Sequence, residues 1–360
     1  MRNVATACGA IFQAQGRVDE ARRHFECALT IARRLLDRDP ERADLARDLS
    51  CLCCRLGDAL MFEGRAEGAQ RHFEESYVIA RRLAEAEPAH ADYARRVHIS
   101  LERLGMVAAS QRRMQDARGY FADSLVIARR LSNAEPERAD LARDLSCALN
   151  RVGDLAASDR GVDEALRHFE DGLAIRLRLS SSDPGSADLA ADVSVSLGKL
   201  GELAMSTGRT DDARRCFQEA LFIDRRLSNA EPGNPVRSNA MAWTAFRLAG
   251  CCAKSSRHAA ASAAIDEALP RARDAVQATA AIEFQDTLAA LLGLKARILD
   301  TEEAAALEAE ALELRRAIGG ARHRAALIEL LLQVAALRGG DEARALEEEA
   351  LRLSEASPAT

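Results

Sequence analysis

The chain has 360 residues, 48% of them hydrophobic but only 4% aromatic, and a formal net charge of −6. That length supports a large core without metal or disulfide staples, and the acidic balance argues against a general nucleic-acid binder. No apolar run reaches the roughly 18 residues of a membrane span, and the N-terminal stretch lacks a signal-peptide pattern. Nine cysteines, odd in number and irregularly placed, suit a reducing cytoplasm better than a disulfide framework. Ala, Leu, Arg and Glu dominate, a composition that favours helix over strand.

Three columns recur with a step of 48 residues: Phe25, Phe73, Phe121, Phe169, Phe217; Pro40, Pro88, Pro136, Pro184, Pro232; and Gly9, Gly57, Gly105, Gly153, Gly201, with Ala249 next. Each unit reads as two helices. The acid–proline pairs, Asp39-Pro40 through Glu231-Pro232, read as helix starts, with an acid near the cap and proline in the first turn. From Pro40 a first helix runs to about Phe62 and a break falls at Gly64. A second helix runs from about Ala66 to Ala84, with Ala69, Phe73, Tyr77, Ile79, Ala80 and Leu83 largely at helical spacing. Short linkers make the helices antiparallel hairpins.

After Ala253 the columns drift but the alternation persists. "SSRHAAASAAIDEALPRARDA", "TEEAAALEAEALELRRAI" and "GGDEARALEEEALRLSEA" read as second helices; "IEFQDTLAALLGLKARIL" and "ARHRAALIELLLQVAAL" read as first helices. The chain therefore reads as an all-α solenoid of about eight helix pairs. Residues 1–253 are regular repeats, 254–356 degenerate hairpins continuing the same solenoid, and 357–360 a disordered tail. Gly9 leaves the first helix at about half length. Either the chain is cut from a longer polypeptide, or another molecule covers that end, self-association included.

Cys53-x2-Leu56-Gly57-x2-Leu60 followed by Ala69-x3-Phe73 resembles the tetratricopeptide repeat, and the next units repeat the match: Leu101-x2-Leu104-Gly105 with Ala117-x3-Phe121, Leu149-x2-Val152-Gly153 with Ala165-x3-Phe169, and Leu197-x2-Leu200-Gly201 with Ala213-x3-Phe217. The family's period is about 34, and its large aromatic is here Leu or Cys. The surplus of about 14 residues divides into about two turns per helix, which preserves every face. The resemblance covers residues 1 to about 253. It implies a right-handed superhelix that binds protein or peptide segments in a concave groove.

"LSCLCCRLGDAL" places Cys51, Cys53 and Cys54 together. Cys53 holds the column of Leu101, Leu149 and Leu197, a packing position that cysteine fills as a small apolar residue. Cys54 shares its column with Glu102, Asn150 and Gly198 and reads as groove-facing. Zinc wants four converging ligands, and no second pair stands near Cys51 and Cys54, so no metal and no cofactor is expected. "GCCAKSS" lacks the glycine and the strand of a phosphate loop. His24, His72 and His168 share a column whose members stand about 10 Å apart, too far to share an ion.

Two basic columns remain. Arg34, Arg82, Arg130, Arg178 and Arg226 read as helix-end charges or as partners of Asp44, Asp92, Asp140 and Asp188, with an anionic ligand as the alternative. Arg55, Arg103, Arg151, Lys199 and Arg247 stand two residues before the glycine column, a position that points into the groove in the resembled family. Asp58, Asp154 and Glu202 are placed to neutralise three of these locally at i, i+3, whereas Arg103 and Arg247 lack such an acid. Asn150 near Arg103 and Arg151 is similar to the family's clamp for a peptide carboxylate. Trp243 and Phe246 join Arg247 on one helical face, as binding anchors or as filler where the array turns irregular. The expectation is a non-enzymatic scaffold gripping a protein or peptide through Arg55, Arg103, Asn150, Arg151, Lys199, Trp243, Phe246 and Arg247, with no nucleic-acid or membrane partner. The alternatives are a regulatory module of a larger signalling protein, nucleotide-switch or protease-associated, and an enzyme built on Cys54 or His98.

Overall fold

The computed structural model describes Ala7 and residues 18–279, 281–299, 302–318, 320–338 and 340–355. Gly9, the shortened first helix with any self-association through it, and the tail at 357–360 lie outside the described residues. Among the described residues the chain forms 15 helices and no strand. It divides into two compact units, Met1–Leu189 and Ala190–Thr360. The first holds α1 (Val18–Arg38), α2 (Ala43–Phe62), α3 (Ala66–Ala86), α4 (Ala91–Ser110), α5 (Met114–Ala134), α6 (Ala139–Ser158) and α7 (Val162–Ser182). The second is built from α8 (Ala187–Ser206), α9 (Thr210–Ala230), α10 (Pro235–Lys254), α11 (His258–Ala278), α12 (Ile282–Ile298), α13 (Glu302–Ile318), α14 (Gly320–Leu337) and α15 (Gly340–Glu355).

In each unit a first helix packs on its second helix, and each second helix packs on the next first helix. Two pairs of successive first helices also touch, α2 with α4 and α10 with α12. One contact sets the spacing inside the regular hairpins. A Cβ on Gly105 would stand 2.6 Å from the Phe121 ring, and Gly57, Gly153 and Gly201 meet Phe73, Phe169 and Phe217 in the same way. All four rings are buried, so equivalent phenylalanines have equivalent surroundings. In the next pair Ala249 takes the glycine's place, and Ile265, 48 residues after Phe217 and fully buried, takes the ring's place. The methyl gained on one helix is matched by bulk lost on the other.

The acid–proline pairs close helices rather than open them. Glu87, Glu135, Asp183 and Glu231 are C-caps of second helices. The prolines occupy the following turn, and the first helices begin at Ala43, Ala91, Ala139 and Ala187. Proline without an N–H cannot continue the helix before it, which fixes the stop. A different pair opens α10: Pro235 stands in its first turn, and Asn234 Oδ1 accepts from the backbone N–H groups of Val236 and Arg237.

The inner turn of each hairpin uses a left-handed residue at the same 48-step position: Gly64, Arg112, Arg160, Gly208 and Ser256, with φ of 75°, 61°, 63°, 76° and 56°. Each turn closes with paired backbone bonds to the helix end, such as Arg160 N to Ala157 O at 3.2 Å and Gly161 N to Ala156 O at 2.8 Å. A side chain at positive φ is strained, so Arg160→Gly is expected to raise stability by about 0.5–1 kcal/mol, read as a higher urea midpoint at unchanged slope. Gly105→Ala forces a methyl into the Phe121 ring and should cost about 1–3 kcal/mol in the same measurement.

Candidate functional site

The basic column on the first helices is a chain of ion pairs between repeats. Arg103 on α4 forms an ion pair with Asp58 on α2, with Nε 2.7 Å from Oδ1. Arg151 on α6 stands 3.8 Å from Glu102 on α4, and Arg247 on α10 reaches Glu202 on α8 at 2.5 Å. In each of these three pairs the arginine takes an acid from the preceding first helix. The physical reason is reach, because a long guanidinium spans the gap between neighbouring first helices. Arg103 and Arg247, lacking a local acid, find one this way. Burial pushes the Asp58 carboxyl above its ordinary value, against the pull of Arg103. Burial lowers Arg103 in turn, but the Asp58 and Glu102 carboxylates outweigh it and hold the guanidinium above its usual value. Arg55 is exposed on α2, and Lys199 is half-buried on α8.

Asn150 points inward. It is buried, with Oδ1 3.0 Å from where a Cβ on Gly172 would stand, so it packs α6 on α7. Cys54 does not face a groove either. It is buried with Sγ 3.1 Å from Ser76 Oγ, inside a hydroxyl cluster in which Ser76 contacts Ser50 at 2.8 Å and Ser100 at 2.9 Å. Burial raises its thiol above the ordinary value and disfavours the thiolate a nucleophile needs. His98 is 1% exposed with Nδ1 2.8 Å from Ser124 Oγ.

The row Arg34, Arg82, Arg130, Arg178 and Arg226 is exposed on the second helices. Three of their four expected partners pair with other arginines: Asp44 with Arg42 at 2.7 Å, Asp92 with Arg138 at 2.8 Å, and Asp140 with both Arg138 and Arg95 at 2.8 Å. The Arg42 guanidinium holds the Asp44 carboxyl down to about 2.

Trp243, Phe246 and Arg247 do come together on α10. The two rings stack with centroids 5.3 Å apart, and the Arg247 guanidinium lies 5.3 Å above the tryptophan ring. Gly198 on α8 makes room for it, since a Cβ there would stand 2.5 Å from the guanidinium. Beneath lies a buried acid that the sequence reading missed. Asp224 on α9 accepts from Thr244 Oγ1 at 2.7 Å. Burial raises its carboxyl, opposed by Thr244, Ser194 and the charges of Arg247 and Arg237. Its signal was present in the columns: Asp224 stands where Ala32, Ala80 and Ala128 stand in earlier repeats, a charge in a buried alanine column.

Helical hairpins stacked at a constant sequence interval define an α-solenoid. Sequence models of the tetratricopeptide repeat match residues 2–60 and 99–137, so these two stretches carry the tetratricopeptide-repeat pattern. No curated protein matches it in sequence. Among solved structures it is similar to BtubC (BKLC) from P. vanneervenii, with 20% identity over 72% of this chain and 92% of that one and a TM-score of 0.54. It is also similar to the apo form of RapI, with 14% identity, 85% and 96% coverage and a TM-score of 0.53. A third likeness is to a Rap protein complexed with Competence and Sporulation Factor, with 13% identity, 98% and 97% coverage and a TM-score of 0.52. These likenesses are of fold. A solenoid of such repeats is in general a protein-interaction scaffold, and no described helix is long and apolar enough to cross a membrane.

A carboxyl whose value is raised on folding binds more protons folded than unfolded, so stability falls as pH rises from its ordinary value of 3.8 through the raised one. Subtracting the urea stability of wild type from that of Asp224→Asn between pH 4 and 7 should therefore give a difference that grows with pH in favour of the variant.

Proposed function

We propose that the chain is a non-enzymatic scaffold that grips an extended peptide or protein segment on its first-helix face. The observation that carries this reading is the half-buried Trp243–Phe246–Arg247 cluster, in which two stacked rings and a guanidinium form one patch. Tryptophan and arginine are the residues that most often anchor binding energy. The rings offer an apolar seat. Arg247, already on Glu202, offers a charge pair that a ligand's carboxylate or amide can enter by exchange.

In the first unit Arg55, Arg103 and Arg151 alternate with Asp58 and Glu102. Bases interleaved with acids give a row of nearly balanced charge. Such a row favours the polar backbone of an extended segment over a strongly anionic ligand. Asn150, buried against Gly172, contributes packing behind this row, and in the second unit Lys199 is half-buried on the first helix α8. The similar Rap protein, complexed with Competence and Sporulation Factor, supports a bound factor as the occupant of such a solenoid.

Peptides selected on the intact chain from a random display library, then measured by calorimetry, test the proposal. Trp243→Ala should weaken a selected peptide by about 2 kcal/mol, roughly thirtyfold, with unfolding midpoint little changed. Peptides whose affinity is untouched by both Trp243→Ala and Arg103→Glu would remove this face from the binding site.

A further inference from the structure

The first unit holds a side-chain cluster that the binding face does not use. Cys53 on α2 and His72 and Glu75 on α3 bring a sulfur, an imidazole nitrogen and a carboxylate oxygen within 4.8 Å of one another. Neither Cys51 nor Cys54 belongs to this set, in which His72 and Glu75 follow Cys53 by 19 and 22 residues. We propose that Cys53, His72 and Glu75 bind a single thiophilic divalent cation of the zinc class.

Four observations carry the proposal. One sulfur, one nitrogen and one oxygen are the donors zinc accepts, whereas magnesium and calcium demand oxygen. A tetrahedral zinc ion with bonds of about 2.0–2.3 Å separates its ligand atoms by roughly 3.3–3.8 Å. The cluster is thus about one ångström more open than a loaded site, a gap that side-chain rotation closes. His72 Nδ1 is buried, has no hydrogen-bond partner and lies 3.9 Å from Glu75 Oε2. Finally, the site has a closed floor and an open side. Cys53 is fully buried, but the His72 and Glu75 side chains are 23% and 31% exposed, which leaves an entry path and a fourth position for water.

Arg33 on α1 now occupies the cation's place in the charge balance. It grips Glu75 with Nε to Oε1 at 3.2 Å and NH2 to Oε2 at 2.5 Å. Its side chain is 46% exposed, so it can leave by rotating into solvent. On loading, the Cys53 S–H bond breaks, the sulfur–metal bond forms and the proton passes to solvent. The thiolate and the Glu75 carboxylate then balance the ion's two charges and release Arg33. Burial and the Glu75 charge keep the unloaded thiol protonated, and burial keeps His72 in the neutral, ligating form. The equivalent trios in the following repeats are Leu101, Tyr120, Asp123; Leu149, His168, Asp171; and Leu197, Cys216, Glu219, and in the preceding repeat Ala5, His24 and Cys27. No other trio supplies a sulfur, an imidazole and a carboxylate together, so one ion per chain is expected.

Titration of the reduced, intact chain with Co2+ tests this, with Zn2+ as competitor. The expected result is one equivalent bound with a thiolate-to-cobalt absorption band, displacement by Zn2+, and one proton released per ion. Cys53→Ser should abolish the band, His72→Gln and Glu75→Gln should each weaken binding at least about tenfold, and Cys54→Ser should leave it unchanged. Arg33→Gln should tighten binding by removing the competing cation. If Cys53→Ser fails to fold by circular dichroism, the partly exposed His72 and Glu75 variants decide. Absence of the band in wild type, its survival in Cys53→Ser, or unaltered affinity in His72→Gln and Glu75→Gln would overturn the assignment.

Discussion

The contact between a glycine on one helix and a phenylalanine ring on the next governs the regular part of this protein. Where Gly57, Gly105, Gly153 and Gly201 lack a side chain, the rings of Phe73, Phe121, Phe169 and Phe217 lie directly against the helix backbone. Burial of such a ring contributes about 1.5–3 kcal/mol, but its larger effect is geometric. It fixes one inter-helix distance and one rotation, so every residue at a given offset from the glycine meets the same surroundings in each hairpin. The Ala249–Ile265 exchange shows what the contact requires: the summed bulk of the two partners is kept although both residues change.

Uniform rungs turn single interactions into rows. Ser50, His98, Ser146 and Ser194 stand 48 residues apart, and each meets the second helix 26 residues on: Ser76, Ser124, Gly172 and Ala220 respectively. A polar row buried between helices is stable because each hydroxyl or imidazole finds its partner inside its own hairpin. The basic row on the first helices works differently. Its partners lie one hairpin back, as Arg103 with Asp58 and Arg247 with Glu202. Such pairs join neighbours and, being partly exposed, contribute modestly to stability. They define the charge pattern of the face more than they hold it together.

The fold was legible because it depends on periodic apolar positions, which one sequence displays five times over. Helix limits came within two residues at Phe62 and Ala86. The reading failed where backbone chemistry had two solutions. Acid followed by proline suits a helix start as well as a helix stop, and only the unwound turn from Asp39 to Arg42 decides. The site was legible in part for a similar reason. Trp243, Phe246 and Arg247 share a helix face, so spacing alone unites them. Arg103 with Asp58, and Cys53 with His72, meet across helices, where spacing says which faces are opposed but not which side chain reaches which. Asn150 and Cys54 looked ligand-facing by column, yet small neighbours, Gly172 and Ser76, leave room for them to turn inward.

Repetition also explains where chemistry can enter. A substitution in a buried column changes one hairpin and leaves the others to hold the stack, so a single rung can tolerate a residue that would unsettle a globular core. Three rungs use that freedom. Asp224 sits in an alanine column and is held by Thr244 beside Arg247. Arg176, in the same column, donates to Ser146 at 3.0 Å. Cys53, in a leucine column, stands against His72 and Glu75 with Arg33 over them. In each case the unusual residue meets a polar or charged side chain rather than an apolar wall. A periodic scaffold thereby carries local chemistry without losing its period, and the residues that break a column are the ones that distinguish this solenoid from a generic stack of hairpins.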